Sequence, residues 1–262
     1  MTILEPCIPK EYLALKINYC KQQLKALPEI TVTERRIRGK PVKVCACNSR
    51  FYRMNTTNGQ KLIIYAKQRE KALCDLAKWE GLWNSSYRGF PPSDIEPRKV
   101  IRTFLNNNNE PIILDGAFFE SLKNDANPYY PDNKKYYYNG IYYRSIAEVD
   151  IARYYTEQGI PFKYEPEIWI KGLAHPIYPD FVIYIKELDL CKFHEHFGMN
   201  NFSNYAQKTQ VKYINYSEAG LIMDYDVICT YSFVNIPFDT RMLSTKINHV
   251  VYSSLFAHDV AA

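Results

Sequence analysis

The sequence has no long hydrophobic run and no glycine-rich phosphate loop. Its longest apolar runs, residues 62–66 and 181–185, have the length of a strand and fall far short of the roughly 20 residues that cross a bilayer. We therefore expect no membrane span and no membrane partner. Because no loop has P-loop or Rossmann spacing, the sequence also predicts that no nucleotide cofactor such as ATP or NAD is used.

A leader segment and a disulfide framework are also missing. The first residues do not combine a charged segment, an apolar stretch and a small-residue cleavage site, so we expect no signal peptide and a cytoplasmic protein. Seven cysteines, an odd number, are scattered along 262 residues and predict reduced thiols. A content of 47% hydrophobic and 23% charged residues is typical of a folded protein of one or two domains.

Positive charge is distributed unevenly along the chain. Residues 1–90 contain 17 Lys and Arg against 7 Asp and Glu, whereas residues 91–262 contain 16 against 21. Residues 35–69 contain ten basic residues and no acidic one. Such a stretch either attracts a polyanion through phosphate contacts or forms a solvated basic face. The candidate residues for such phosphate contacts with a nucleic acid are Arg35, Arg36, Arg38, Lys40, Lys43, Arg50, Arg53 and Lys61.

The hydrophobic periodicity predicts a basic N-terminal region over residues 1–90. Helical spacing favours a first helix over 10–26, and alternating runs broken by turn residues favour a three- or four-stranded antiparallel meander over 30–65. In this interpretation Asn58-Gly59 is one of the meander turns. A second helix is predicted over 67–80.

A connector and a second domain follow. Residues 91–130 carry weak periodicity and predict a connector with one short helix near 97–105. Residues 131–262 begin with a hairpin around Asn139-Gly140 and continue as an α/β domain. Its predicted elements are a helix over 145–158, strands over 162–170, 177–185 and 190–197, a helix over 203–217, a strand over 227–230 and a helix over 240–253.

The candidate chemistry lies on the second and third strands of this domain. A tight turn at 186–189 would place Asp180 directly opposite Glu195, with Cβ atoms about 4.5–5.5 Å apart. Two carboxylates that close need a proton or a cation between them, and oxygen ligands suit a hard divalent ion. The predicted cofactor is Mg²⁺, for which Mn²⁺ would substitute. A slipped register would instead turn the acids towards water or onto opposite faces.

These strands also carry a resemblance to a known superfamily. The motif YPDF at 178–181, followed by EHFGM at 195–199, resembles the core of the PD-(D/E)XK nucleases. Residues 144–165 resemble the helix and first strand that precede the PD strand in a bacterial branch, and the resemblance covers about 128–245. It implies an α/β (α+β) domain with a restriction-endonuclease-like mixed sheet flanked by helices.

The resemblance implies that Glu148, Asp180 and Glu195 hold one or two Mg²⁺ ions. Glu148 has an alternative explanation, because a glutamate three residues after Ser145 completes a capping box. Glu165 lies on a neighbouring strand and is a candidate to support the site. We expect this residue and Glu167 to lie on the surface of an edge strand.

The motif lysine is displaced in this sequence. Phe197 stands two residues after Glu195, where the standard motif has lysine. Some members of the superfamily carry the lysine on the following helix, and Tyr205, Lys212, Tyr216 and Gly220 match the spacing of such a branch. Lys212 is therefore the candidate. Lys208, one turn earlier, is the alternative and a further candidate contact to DNA.

The histidines beside Glu195 raise the alternative of a zinc site. His194 and His196 would share one strand face, and His175 would be a third ligand. Strand alternation places both on the face opposite Glu195, and no fourth ligand is evident. We expect that a helix packs on this face instead.

Together these features predict a Mg²⁺-dependent DNA endonuclease with a basic N-terminal region that binds phosphates. A catalytically inactive nucleic-acid-binding or assembly module on the same fold and an RNA nuclease are the alternatives. Whether the chain forms a homodimer or binds a protein partner stays open.

Overall fold

The structure is a computed structural model that describes residues 10–37, 39–91, 101–129, 131–198, 203–233 and 236–256. It is a mixed α and β protein. Contacts between Cα atoms divide it into two compact units, whose described parts are residues 10–91 and 101–256.

The first unit contains two helices and a small antiparallel sheet. The predicted first helix is confirmed with the expected bounds, and it packs on the second helix through a core of Leu13, Ala14, Ile17 and Trp83. The elements are α1 (Lys10–Ala26), β1 (Thr31–Ile37), β2 (Lys40–Cys47), β3 (Arg50–Arg53) and α2 (Thr57–Ser86).

The meander is shorter than predicted because α2 begins earlier. Asn58-Gly59 is not a hairpin turn but lies in the first turn of this 30-residue helix, where the Thr56 side chain accepts the amide of Gly59. A Cβ at Gly59 would lie 2.0 Å from the carbonyl oxygen of Arg53, so glycine is required by close packing. The assignment of Lys61 to the meander is therefore wrong, since it is an exposed residue of α2.

Strand register divides the basic residues of the sheet between its two faces. β1 and β3 flank β2 in antiparallel pairs, with Arg35 opposite Val42 and Cys47 opposite Arg50. Because alternate residues share a face, the basic side chains form two sets of three. One set is Arg35, Lys40 and Arg53, and the other is Arg36, Lys43 and Arg50.

The second unit is built around a four-stranded sheet in the order β11-β10-β9-β8. β8 pairs antiparallel with β9, and β9 pairs antiparallel with β10. β11 pairs parallel with β10. The elements, in chain order, are β4 (Thr103–Leu105), β5 (Pro111–Ile113), α3 (Gly116–Ser121), β6 (Tyr136–Tyr138), β7 (Ile141–Tyr143), α4 (Ile146–Gln158), β8 (Phe162–Tyr164), β9 (Phe181–Ile185), β10 (Leu190–Phe197), α5 (Ser203–Glu218), β11 (Val227–Tyr231) and α6 (Thr240–Phe256).

The predicted connector does not stand apart from this unit. The amide of Leu105 donates to the carbonyl of Ala219, and the amide of Cys191 donates to the carbonyl of Leu114. The short helix expected near 97–105 is wrong over its described end, because residues 103–105 form β4. The rest of that expected helix lies outside the described residues.

Most predicted elements of the second unit are confirmed. The hairpin turns at Asn139 and Gly140, whose φ angles of 47° and 88° are those of a tight hairpin turn. α4 begins after its N-cap Ser145 and ends at Gly159, as expected. The predicted strand over 162–170 is shorter, because β8 ends at Tyr164 and only an isolated bridge at Ile168 continues the pairing.

The register between β9 and β10 is the one that the tight turn predicted. Leu190 pairs with Ile185 and His194 with Phe181, around a short 3-10 helix at Lys186–Leu188. Every residue of β10 is buried, so this strand is the centre of the unit. None of the described helices is long and apolar enough to span a membrane.

Candidate active site

Asp180 and Glu195 come together as the strand register requires. The last registered pair is His194 with Phe181, so the next positions bring Asp180 and Glu195 to one end of the β9–β10 pair. The Asp180 carboxylate accepts the backbone amide of His196 at 2.7 Å, which extends the ladder by a side chain. Both acids are buried, Asp180 at 6% exposure and Glu195 at 1%.

The structure brings Lys212 to Glu195. The Lys212 Nζ atom donates to Glu195 Oε2 at 2.6 Å, and the Tyr216 hydroxyl donates to Glu195 Oε1 at 2.5 Å. Lys212 and Tyr216 are four residues apart on α5 and share a helix face. Both oxygens of Glu195 are thus held by one helix that packs against the strand.

Lys208 lies one turn earlier on α5, but its side chain is outside the described residues, as is that of Tyr205. Phe197, which stands where the standard motif has lysine, packs against two aromatic rings. Its ring stacks on Tyr231 and lies edge-on to Tyr213. A lysine at this position would lose both ring contacts.

Glu148 is buried in the first turn of α4 and adjoins the same site. Its Oε2 atom accepts the hydroxyl of Tyr164 at 2.7 Å and the backbone amide of Arg144 at 3.0 Å. The Ser145 side chain accepts the Glu148 amide, so only this half of the capping box forms as the sequence pattern predicts. The Glu148 carboxylate caps the amide of Arg144, one residue before the N-cap.

Arg144 was not singled out from the sequence. Its guanidinium lies between the carboxylates of Glu165 and Asp180. One guanidinium nitrogen is 2.5 Å from Glu165 Oε1 and 3.4 Å from Asp180 Oδ1. Burial lowers the pKa of Arg144, but the carboxylates of Asp180, Glu165 and Glu148 outweigh this and raise it. The available signal was its position just before the N-cap of α4, four residues before Glu148, whose side chain accepts the Arg144 amide.

The expectation that Glu165 lies on the surface is wrong. The residue is fully buried and pairs with Arg144, with Lys134 at 3.1 Å and with the Asn127 side-chain amide at 3.0 Å. Its φ of 41° ends β8 and turns the side chain into these partners. Glu167, by contrast, is exposed and accepts from the Trp169 ring and the Tyr178 hydroxyl.

The histidines next to Glu195 belong to the opposite face, as alternation predicts. His194 is fully buried between the hydroxyls of Tyr155 and Thr230, at 2.7 Å and 2.8 Å. His196 contacts Thr230 and Ser232. Burial lowers the pKa of both histidines, so both rings are neutral members of the core near neutral pH. His175 is exposed in the loop before β9.

Burial, together with the charge of Asp180, raises the pKa values of two acids of the site. Burial raises the pKa of Glu148, and the charge of Asp180 raises it further. Burial also raises the pKa of Glu195; the Lys212 ammonium opposes this and Asp180 adds to it. Asp180 thus repels an acid on either side, and a bound cation would relieve both repulsions.

The acids supply the donor chemistry of a hard divalent ion. Carboxylate oxygens are the ligands that Mg²⁺ takes from proteins, and two of these acids are adjacent by register. Within the described residues, however, no three acidic, histidine or cysteine side chains form a group that could already hold a metal. Side-chain cations occupy the carboxylates instead, Lys212 on Glu195 and Arg144 on Asp180.

A cleft of about 270 Å³ opens onto Glu195. Lys212, Asn215 and Tyr216 of α5 line one side of the cleft. Arg144, which comes just before α4, also lines it. Apolar and aromatic residues complete the lining, which consists of Asn127, Tyr129, Arg144, Pro176, Ile177, Tyr178, Glu195, Lys212, Asn215 and Tyr216. The site is therefore open to a ligand.

The candidate DNA-contact residues of the first unit that the structure describes are all exposed. Arg35, Arg36, Lys40, Lys43, Arg50, Arg53 and Lys61 are exposed, and Arg38 lies outside the described residues. The Arg35 guanidinium lies over the Phe51 ring, 3.3 Å from its centroid.

Comparisons with protein-family models, with curated proteins and with solved structures give no match.

Proposed function

We propose that this chain is a Mg²⁺-dependent DNA endonuclease whose second unit has a restriction-endonuclease-like fold. The observation that carries the proposal is the convergence on Glu195, which stands next to Asp180 by strand register and accepts Lys212 from the following helix. Acid, acid and lysine are the residue types that the superfamily motif requires, and they meet although 32 residues separate the first from the last in sequence.

The order of elements agrees with the proposed fold. The helix that bears Glu148 precedes β8, and Asp180 comes directly before β9. Glu195 lies on the central β10, and Lys212 follows on α5. This is the order that the resemblance to PD-(D/E)XK nucleases implies. The three acids thus come from the elements that the resemblance implies, and Lys212 comes from the helix that carries the lysine in some members of the superfamily.

The division of roles follows from the contacts. Asp180 and Glu195 would hold Mg²⁺, with Glu148 as a direct or water-mediated ligand, and Mn²⁺ would substitute. The ion, when bound, would polarise the phosphate and make a coordinated water a better nucleophile. Lys212, 43% exposed in its side chain, would position that water or stabilise the developing negative charge. Tyr216 fixes the Glu195 carboxylate.

The basic first unit would supply attraction to DNA. Several buried acids lie at the site, and exposed arginines and lysines elsewhere on the chain would add attraction for a polyanion. Seven exposed basic residues of the predicted set lie on the small sheet and on α2.

Nicking of supercoiled plasmid tests the proposal. Wild-type protein should convert the plasmid to the nicked form with Mg²⁺ or Mn²⁺ and not with a chelator. Asp180→Asn and Glu195→Gln should abolish nicking while binding to DNA stays within about twofold, because these acids act on the ion. Nicking by either variant at the wild-type rate would refute the site.

A second candidate function is a nucleic-acid-binding or assembly module without activity. One observation favours it: in the described part of the chain, Lys212 and Arg144 already neutralise the acids, and no three ligands converge. Tight binding of DNA by wild type, with no product under Mg²⁺ or Mn²⁺, would select this function. Parallel digestion of RNA of the same sequence would reveal an RNA nuclease.

A further inference from the structure

The cleft beside Glu195 has a charge opposite to that of the acids behind it. Its lining contains one carboxylate, Glu195, and two cations, Arg144 and Lys212. The side chains of Arg144 and Lys212 are 27% and 43% exposed, so both reach the opening while their partners stay buried. At the opening the two cations outnumber the one carboxylate, which favours contact with a phosphate there.

The two cations suit one phosphate group in different ways. Arg144 presents a rigid planar guanidinium, one nitrogen of which is already held by Glu165 and Asp180. Lys212 presents a compact charge on a flexible stem. Glu165 and Asp180 hold the guanidinium on one side, which leaves its orientation fixed. Arg144 is therefore preorganised to bind a phosphate that enters the cleft.

An exposed aromatic ring lies in the same cleft. Tyr129 is 54% exposed, and its ring packs edge-on against Tyr178, with 5.9 Å between ring centroids. The hydroxyl of Tyr178 donates to Glu167, which anchors the inner ring. The backbone amide of Tyr129 donates to the Asn127 side chain, which also contacts Glu165. The ring is thus held at a defined place and still offers a surface on which a nucleobase can stack.

Size restricts what the cleft can hold. Its volume of about 270 Å³ lies just below the range of about 300–1,000 Å³ that is usual for pockets of drug-sized ligands. A single nucleotide has a phosphate for the two cations of the lining and a base for its exposed tyrosine ring. A base pair in a stacked duplex could not enter it.

We infer that this cleft is the subsite for the nucleotide that adjoins the scissile phosphate. Arg144 and Lys212 bind the phosphate, and Tyr129 stacks on the base. This inference rests on the proposed function, since it names the part of the DNA that the same site would bind. It also implies that the strand leaves regular duplex stacking at the cut.

Binding of small ligands to the full chain tests the inference without any cleavage. The probes are thymidine 5′-monophosphate and 2-deoxyribose 5-phosphate, which share phosphate and sugar and differ only in the base. Titration calorimetry in the presence of a chelator gives the two affinities. Wild type should bind the nucleotide at least about fivefold more tightly, as expected for one stacked base.

Two variants and one matched control assign the contacts. Tyr129→Leu should bind both probes equally, at the affinity of the sugar phosphate. Tyr142→Leu is the control, since Tyr142 is also 54% exposed in the same unit but does not line the cleft, and it should behave as wild type. Arg144→Lys should weaken the binding of both probes by the same factor, several-fold, because it keeps the charge and loses the fixed position of the guanidinium.

The inference is overturned if wild type does not distinguish the probes or if Tyr129→Leu still prefers the nucleotide. It is also overturned if Tyr142→Leu loses the preference as fully as Tyr129→Leu. Plasmid nicking tests the proposed function separately. Nicking by wild type without any preference for the nucleotide would remove only the subsite, and preference without nicking would remove only the activity.

Discussion

Lys212 Nζ lies 2.6 Å from Glu195 Oε2, although the two residues come from different elements, α5 and β10. The standard motif places its lysine two residues beyond the acid, where this chain has Phe197. In the proposed site, α5 supplies the cation that the standard motif takes from the strand. Tyr216, one turn further on, occupies the second oxygen of the same carboxylate.

Replacement of Lys212 by glutamine should reduce plasmid nicking by roughly 10²- to 10³-fold, the usual effect of removing one group that stabilises developing charge. Affinity for DNA should change much less, because a single surface cation contributes little to binding a long polyanion. The measurement is the single-turnover nicking rate at saturating protein. Lys208→Gln is the competing variant, and a larger loss with it than with Lys212→Gln would identify Lys208 as the displaced lysine.

Glu165→Gln should destabilise the second unit by about 1–3 kcal/mol, since it removes a buried carboxylate that Arg144 and Lys134 share. Arg144 would keep Asp180 and Lys134 would keep Asp125. The free energy of unfolding in urea measures this effect. Glu167→Gln is the matched control, because Glu167 is exposed two residues away, and it should change stability by less than about 0.5 kcal/mol. Equal effects of the two substitutions would contradict the buried network.

The buried lysine of β10 predicts a dependence of stability on pH. Burial lowers the pKa of Lys192 to about 8, against the partial compensation of Asp226 at 3.7 Å. Between pH 8 and the ordinary lysine pKa of 10.5, the unfolded chain binds more protons at this group than the folded chain. Stability from this group should therefore rise with pH across that window.

The expected size of this rise is on the order of 3 kcal/mol, since each tenfold change in a protonation equilibrium is worth about 1.4 kcal/mol. Urea denaturation of wild type and of Lys192→Met at several pH values measures it. The difference in stability between the two proteins should shift in favour of wild type as the pH rises from 8 to 10.5. A pH-independent difference would show that the ammonium is not destabilised by burial.

The two faces of the small sheet should contribute unequally to DNA binding. Cys45 contacts the carbonyl of Gly59, so its face packs on α2, whereas Arg35, Lys40 and Arg53 lie on the other face. The association constant for DNA falls as the salt concentration rises. Changing these three residues to glutamine should make the slope of log association constant against log salt concentration less steep by roughly 3, because about one counterion is released per phosphate contact.

The matched control for that prediction is the triple change of Arg36, Lys43 and Arg50, which removes the same charge from the face that carries Cys45. This control should make the salt slope less steep by about 1 or less. A larger loss with the control would assign DNA contact to the face on the α2 side, and no loss with either would exclude the sheet from the interface.

Local signals were sufficient for several elements. The pair Asn139-Gly140 predicted its hairpin turn because both residues adopt positive φ easily, and Ser145 with Gly159 predicted both ends of α4. The short connection between β9 and β10 predicted their register, which then placed Asp180 beside Glu195. Such inferences succeed because the energy that decides them comes from neighbouring residues.

Other features depend on contacts that a single sequence does not reveal. Asn58-Gly59 has the composition of a turn, but Gly59 is needed where α2 passes the carbonyl of Arg53. Glu165 has the composition of an exposed strand residue, but its left-handed backbone directs it to Arg144 and Lys134. In both cases a tertiary contact overrides the local preference, and the role of Arg144 depends on the second of them.

The hydrogen bond from the His196 amide to Asp180 makes one side chain part of both the sheet and the candidate ion site. An ion that draws the Asp180 carboxylate towards itself changes the strength of that bond. Hydrogen exchange at this single amide would therefore report occupancy of the site directly, even in a protein whose substrate is absent.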